Sequence, residues 1–98
     1  MSIRHGLARA LRAARKMRRV SQESLTVSSR TYLSALERGL QAPTLEKLDE
    51  IAGGIGVHPL TLLIYAYTVD QTPNEKLEMK ERVLAEMDEL ERYDAASF

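Results

Sequence analysis

Cysteine is absent from this chain, which excludes a disulfide scaffold and any thiolate metal site. That composition suits a reducing cytosol. The opening Met1-Ser2-Ile3-Arg4-His5 lacks the apolar segment of a secretory signal, so none is expected. The longest apolar run, Val57 to Val69, is interrupted by His58, Pro59, Thr61 and Thr68. It falls short of the roughly 20 residues that a bilayer-spanning helix needs. A cytoplasmic protein with no membrane association is the expectation. Catalytic signatures are missing too. There is no HExxH, GxGxxG, GxxxxGK[ST] or GxSxG pattern. The two histidines, His5 and His58, fall in different elements with no converging acid. The sequence therefore predicts a non-enzyme, with no catalytic residue, no metal and no cofactor.

The charge present is unevenly divided. The chain of 98 residues has a formal net charge of zero. Residues 1–42 nevertheless hold nine basic residues against Glu23 and Glu37, a net of +7, whereas residues 43–98 hold five against twelve acids, a net of −7. Such a split predicts one half that faces a polyanion and one that avoids it. A chain of this length makes one compact domain, with room for an appended helix.

Hydrophobic periodicity is helical throughout, and no stretch alternates with the period of a strand. Residues 2–19 read as a first helix, capped by Ser2, with Ile3, Leu7, Leu11 and Ala14 on one face. Ser21 is an N-cap for a short second helix with Leu25 as its core residue. Val27-Ser28-Ser29 reads as a turn and a new cap. A third helix follows from Arg30 to Arg38 and stops at Gly39. Thr44 caps a fourth, with Leu45, Leu48, Ile51, Ala52 and Ile55 apolar. His58 caps a fifth, with Pro59 at its first position, and this one is apolar almost all round. Thr72-Pro73-Asn74-Glu75 has capping-box spacing. The last helix runs to about Tyr93 with a stripe of Leu77, Val83, Leu84, Met87 and Leu90.

The stretch Ser21–Gly39 organises the rest. Two short helices joined by a tight turn can lay the second along a DNA major groove, its N-terminal residues at base edges. Ser29, Arg30, Thr31 and Ser34 give that helix a polar outward face. An arginine fork matches the O6/N7 edge of guanine, and hydroxyls serve several bases. The helix N-termini at Ser21-Gln22 and Thr44-Leu45 are suited to phosphate.

These pieces occur in an order that carries a family signature. Leu11-Arg12-Ala13-Ala14-Arg15, Ser21-Gln22-Glu23-Ser24-Leu25, Ser29 to Gly39, Pro43-Thr44-Leu45 and Leu48 to Val57 together resemble the Cro/C1-type helix-turn-helix group, the xenobiotic-response-element regulators of bacteria and phages. The resemblance spans roughly residues 5–66. It implies an all-α, five-helix lambda-repressor-like domain over residues 1–69. Outside that core, residues 70–98 read as a linker and an additional C-terminal amphipathic helix, whose apolar stripe is expected to serve dimerisation. The resemblance further implies that Gln22 touches the DNA backbone and reaches the first base. Ser29, Arg30, Thr31 and Ser34 take the recognition-helix positions, and Arg38 and Thr44 contact phosphates. Arg15 and Glu37 match a structural ion pair between the first and third helices. One departure is plain: only Thr26-Val27-Ser28 separate Leu25 from Ser29, about three residues fewer than the family usually has. Arg19 also stands in place of a frequent glycine.

The function implied is a sequence-specific transcriptional regulator, a repressor that binds a palindromic operator in double-stranded DNA as a homodimer, with no small-molecule effector evident. The alternative is a protein-interaction module of the same fold, acting as an antitoxin or antiactivator. A general nucleoid binder fits less well, because the basic residues lie on one half only.

Overall fold

The computed structural model describes residues 2–25 and 29–97. They form five helices: α1 Ile3–Met17, α2 Arg30–Glu37, α3 Leu45–Ile55, α4 Pro59–Thr68 and α5 Pro73–Ser97. No strand occurs among the described residues. The expected all-α helix-turn-helix fold with an extra C-terminal helix is the one observed, and α2 is the expected recognition helix.

Each helix starts where a local cap puts it. The hydroxyls of Ser2, Ser29 and Thr44 accept the backbone N–H three residues on, from His5, Tyr32 and Lys47. His58 Nδ1 accepts from the Leu60 N–H at 3.0 Å, ahead of Pro59. At α5 the box is reciprocal: Thr72 N–H donates to Glu75 Oε1 at 2.8 Å, and Glu75 N–H donates to Thr72 Oγ1 at 3.2 Å. These bonds satisfy donors that the helix itself leaves unpaired.

The helix expected from Ser21 is reduced to one turn. Ser24 N–H donates to the Ser21 carbonyl at 3.2 Å and Leu25 N–H to the Gln22 carbonyl at 3.3 Å. The Ser21 cap forms, with its Oγ accepting from Ser24 N–H, but no helix follows over the described residues. Helix nucleation is unfavourable and is offset only by further turns. The chain leaves little length for them before Ser29 caps α2. The turn expected at Val27-Ser28 falls on Thr26, Val27 and Ser28, which lie outside the described residues.

The core is one cluster: Leu7, Ala10, Leu11 and Ala14 of α1, Leu25, Leu33 and Leu36, Leu48, Ile51, Ala52 and Ile55 of α3, and Leu62 and Ala66 of α4. α1 packs chiefly along α4. The crossing is close because Gly6 faces the Ala66 backbone. Ile3, expected on the inner face of α1, remains 45% exposed. Periodicity names a helical face but not how far along it a partner reaches. α4 buries Leu62, Ala66 and Thr68, leaving Leu60, Tyr65 and Tyr67 on the surface. α5 buries no residue at all. It runs on to Ser97, past the expected end at Tyr93. Among the described residues, no single helix is long and apolar enough to cross a membrane.

Two helix ends share one device. The Leu40 N–H reaches back to the Ala35 carbonyl, and Gly39 takes φ +73°. At the end of α1 the Val20 N–H reaches the Arg15 carbonyl at 2.9 Å and the Arg19 N–H reaches Lys16 at 3.1 Å. These are the two bonds of a Schellman cap. Here the left-handed residue is Arg19, at φ +58°. An L side chain in that region costs roughly 1–2 kcal/mol.

Candidate nucleic-acid interface

α2 is amphipathic in the manner a groove-reading helix requires. Leu33, Ala35, Leu36 and Glu37 are buried, whereas Arg30 and Thr31 are exposed and Ser34 is half-buried. Ser29 caps the helix and is itself exposed. These four residues therefore share the N-terminal turns of one helix with its apolar side turned to the core. Arg38 lies at the other end, exposed, with its Nε directed to the Ser34 carbonyl at 3.4 Å. Thr44 is exposed at the start of α3, where its hydroxyl holds the cap.

Glu37, the last residue of α2, is the anchor. Arg15 donates to it twice, Nε to Oε2 at 2.6 Å and Nη2 to Oε1 at 2.8 Å. The remaining Arg15 nitrogen, Nη1, donates to the Val20 carbonyl at 3.0 Å. The ion pair expected between the first and recognition helices is thus present, and it also ties down the chain leaving α1. Burial penalises the Glu37 carboxylate. The hydrogen bonds from Arg15 and Gln22, and the charges of Arg15 and Arg12, outweigh that penalty and hold the carboxyl below its usual range. The hydrogen bond to Glu37 in turn raises Arg15 above its usual value.

Two further residues converge on the same point. Gln22 donates its side-chain amide to Glu37 Oε1 at 3.2 Å. Its NH₂ carries two protons, so one donor remains after the Glu37 bond. Arg12 donates Nη1 to the Glu37 backbone carbonyl at 3.0 Å, where a cation meets the negative end of the helix dipole. The sequence reading counted Arg12 only among the basic residues of the N-terminal half and missed this role. Its signal was the spacing of three from Arg15, which puts both guanidinium groups on one side of α1. The pair between Arg30 Nη1 and Glu23 Oε1, 3.2 Å apart, was missed as well. Glu23 lies in the Ser21 turn and Arg30 in α2, so no helical spacing signals it.

Among the described residues no group of three histidines, cysteines, aspartates or glutamates is placed to hold a metal ion. What the arrangement offers is a braced helix with a polar, cationic outer edge.

Comparison with known proteins agrees with that geometry. No curated protein matches the chain. Among solved structures, two of the clp gene regulator ClgR from Corynebacterium glutamicum are similar. One is 30% identical, with 71% of this chain and 95% of that chain covered, at a TM-score of 0.67. The other is 28% identical, with 93% of this chain and 95% of that one covered, at a TM-score of 0.65. Residues 11–62 match the family described as Helix-turn-helix, a span that holds the Arg15–Glu37 brace, the Ser21 turn, α2 and Thr44. On these grounds the chain belongs to the Cro/C1-type helix-turn-helix family of DNA-binding transcriptional regulators.

Proposed function

We propose that this regulator binds a palindromic operator as a homodimer and acts as a repressor. The observation that carries the reading is α2 itself: Ser29, Arg30, Thr31 and Ser34 cluster at its N-terminal end, and the buried Arg15–Glu37 bridge fixes its other end. In this reading Arg30 takes a guanine edge and Ser29, Thr31 and Ser34 take neighbouring bases. Gln22 uses its free amide proton on a phosphate, and Arg38 and Thr44 hold the backbone on the far side. Repression asks only that the protein occupy DNA that transcription needs.

Residues 1–69 then form the DNA-binding unit and 70–98 the dimerisation element. The support is the exposure of the α5 stripe, where Leu77, Leu84, Met87 and Leu90 are 55%, 65%, 47% and 66% exposed. Such a stripe is covered by a twin helix in a twofold dimer, the commonest oligomer, and a dimer presents two recognition helices to two half-sites.

The test is binding to double-stranded DNA from upstream of the protein's own gene. Arg30→Ala is expected to cost about 1–3 kcal/mol and relax sequence preference, and Arg38→Ala to weaken all duplexes alike. The shortened Ser21–Ser24 turn favours a second reading, in which the fold engages another protein. No duplex binding at moderate salt would select that reading.

A further inference from the structure

We infer that Arg19 is a phosphate anchor whose backbone is held in the left-handed region to present its charge to DNA, a role that rests on the DNA-binding reading above. Arg19 is the one non-glycine residue with positive φ among the described residues. The left-handed positions at the ends of α2 and α3 are filled by Gly39 and Gly56. Glycine takes this conformation without steric penalty, so the arginine stands there at a local cost. Backbone strain of this kind concentrates where a side chain is needed for binding.

Its surroundings say what it binds. Arg19 is exposed, as are Lys16 and Arg18, and no carboxylate lies within 4.0 Å of any of the three among the described residues. Arg15, by contrast, turns inward to Glu37. The three cations lie in the +7 half of the chain, close in sequence to Gln22, whose side-chain amide keeps one proton beyond its bond to Glu37. Unpaired cations next to such a donor fit an anionic backbone. The segment is also fixed on both sides. Arg19 N–H is bonded to Lys16 and Val20 N–H to Arg15, and the Val20 carbonyl accepts from the Arg15 side chain at 3.0 Å. A cation rooted in fixed backbone loses less freedom on binding than one on a loose loop.

Glycine at this position separates binding from folding, since it relieves the strain while removing the charge. The experiment compares wild type, Arg19→Gly and Arg19→Lys. Each is measured for binding to an operator-containing duplex and a scrambled duplex from low to moderate salt, and for thermal unfolding without DNA. Arg19→Gly is expected to unfold at a higher temperature yet bind both duplexes several-fold more weakly. Its slope of log affinity against log salt should fall in magnitude by about 0.9, the value for one lost phosphate contact. Arg19→Lys should keep most of the wild-type slope. An Arg19→Gly protein with wild-type affinity and slope overturns the inference and leaves the regulator reading in place. A wild type that binds neither duplex overturns both.

Discussion

Arg15 and Glu37 join the end of α1 to the end of α2 through two hydrogen bonds, 2.6 and 2.8 Å long, with side chains only 14% and 8% exposed. A buried pair of this sort is weak evidence of net stabilisation over an apolar pair, but removal of one partner strands the other. Arg15→Ala would leave the Glu37 carboxylate buried and the Val20 carbonyl without its side-chain donor. The expected loss is about 3–5 kcal/mol, seen as a lowered denaturation midpoint without DNA. An unchanged midpoint accompanied by weaker DNA binding would instead assign Arg15 to the interface.

The same pair sets the acid limit of the fold. Glu37 titrates below its ordinary value in the folded protein, so its contribution is complete above the unfolded value, about 4.5, and is lost as pH falls through the lower folded value. Denaturant midpoints measured from neutral pH down to about 3 should therefore fall through this acid window. Glu37→Gln should be less stable near neutrality, and its curve should be flatter in the window. A parallel curve would mean that other carboxylates govern the acid limb.

Gly6 and Gly53 both lie within helices, where alanine is normally favoured by about 1 kcal/mol. They should respond with opposite signs. A Cβ at Gly6 would stand 3.0 Å from the Ala66 carbonyl carbon and closer still to its oxygen, whereas nothing lies within 4 Å of one at Gly53. Backbone cannot step aside as a side chain can, and overpacking costs about 1–3 kcal/mol. Gly6→Ala should lower the thermal midpoint and Gly53→Ala should raise it. A rise for both would show that the α1–α4 crossing relaxes freely.

The parts of the fold legible in the sequence are those written locally. Ser2, Ser29, Thr44, His58-Pro59 and the Thr72–Glu75 box each announce a helix start within four residues, and each forms as read. The Arg15–Glu37 bridge was legible through family resemblance, since residues 22 apart in sequence carry no local signal of contact. Ser21 shows the limit of local reading: its cap forms, and no helix follows over the described residues. A cap signal marks a start and says nothing of whether enough chain remains to offset nucleation. The Arg12 brace had a partial signal in its spacing from Arg15, but its acceptor is a backbone carbonyl 25 residues away. The pairing of Glu23 with Arg30 joins the Ser21 turn to α2. Neither partner could be named from local sequence.

The α5 stripe makes a prediction about assembly. Wild type should sediment as a dimer. Leu84→Glu, which puts a charge on a residue already 65% exposed, should sediment as a monomer with an unaltered core. Covalently joined half-sites bind as one, so splitting the dimer should weaken binding to a palindrome by about 100-fold, with a single half-site barely affected. A wild-type monomer, or a Leu84→Glu dimer, would remove α5 from the assembly.

Glu23 pairs with Arg30 at the start of α2, its Oε1 3.2 Å from Arg30 Nη1 and both side chains more than half exposed. A pair this open is worth about 0.2–1 kcal/mol, so under the proposed function Arg30 would leave it readily for a base. The carboxylate would then remain beside the phosphate chain and repel it. Glu23→Gln removes the competitor and the repulsion together. It should tighten binding by roughly two- to fivefold at low salt, equivalent to about 0.5–1 kcal/mol, with almost no change in stability. The gain should fade as added salt shortens the screening length towards about 3 Å at 1 M. Weaker binding by Glu23→Gln would mean the opposite relation, in which the carboxylate holds Arg30 in the rotamer that meets its base.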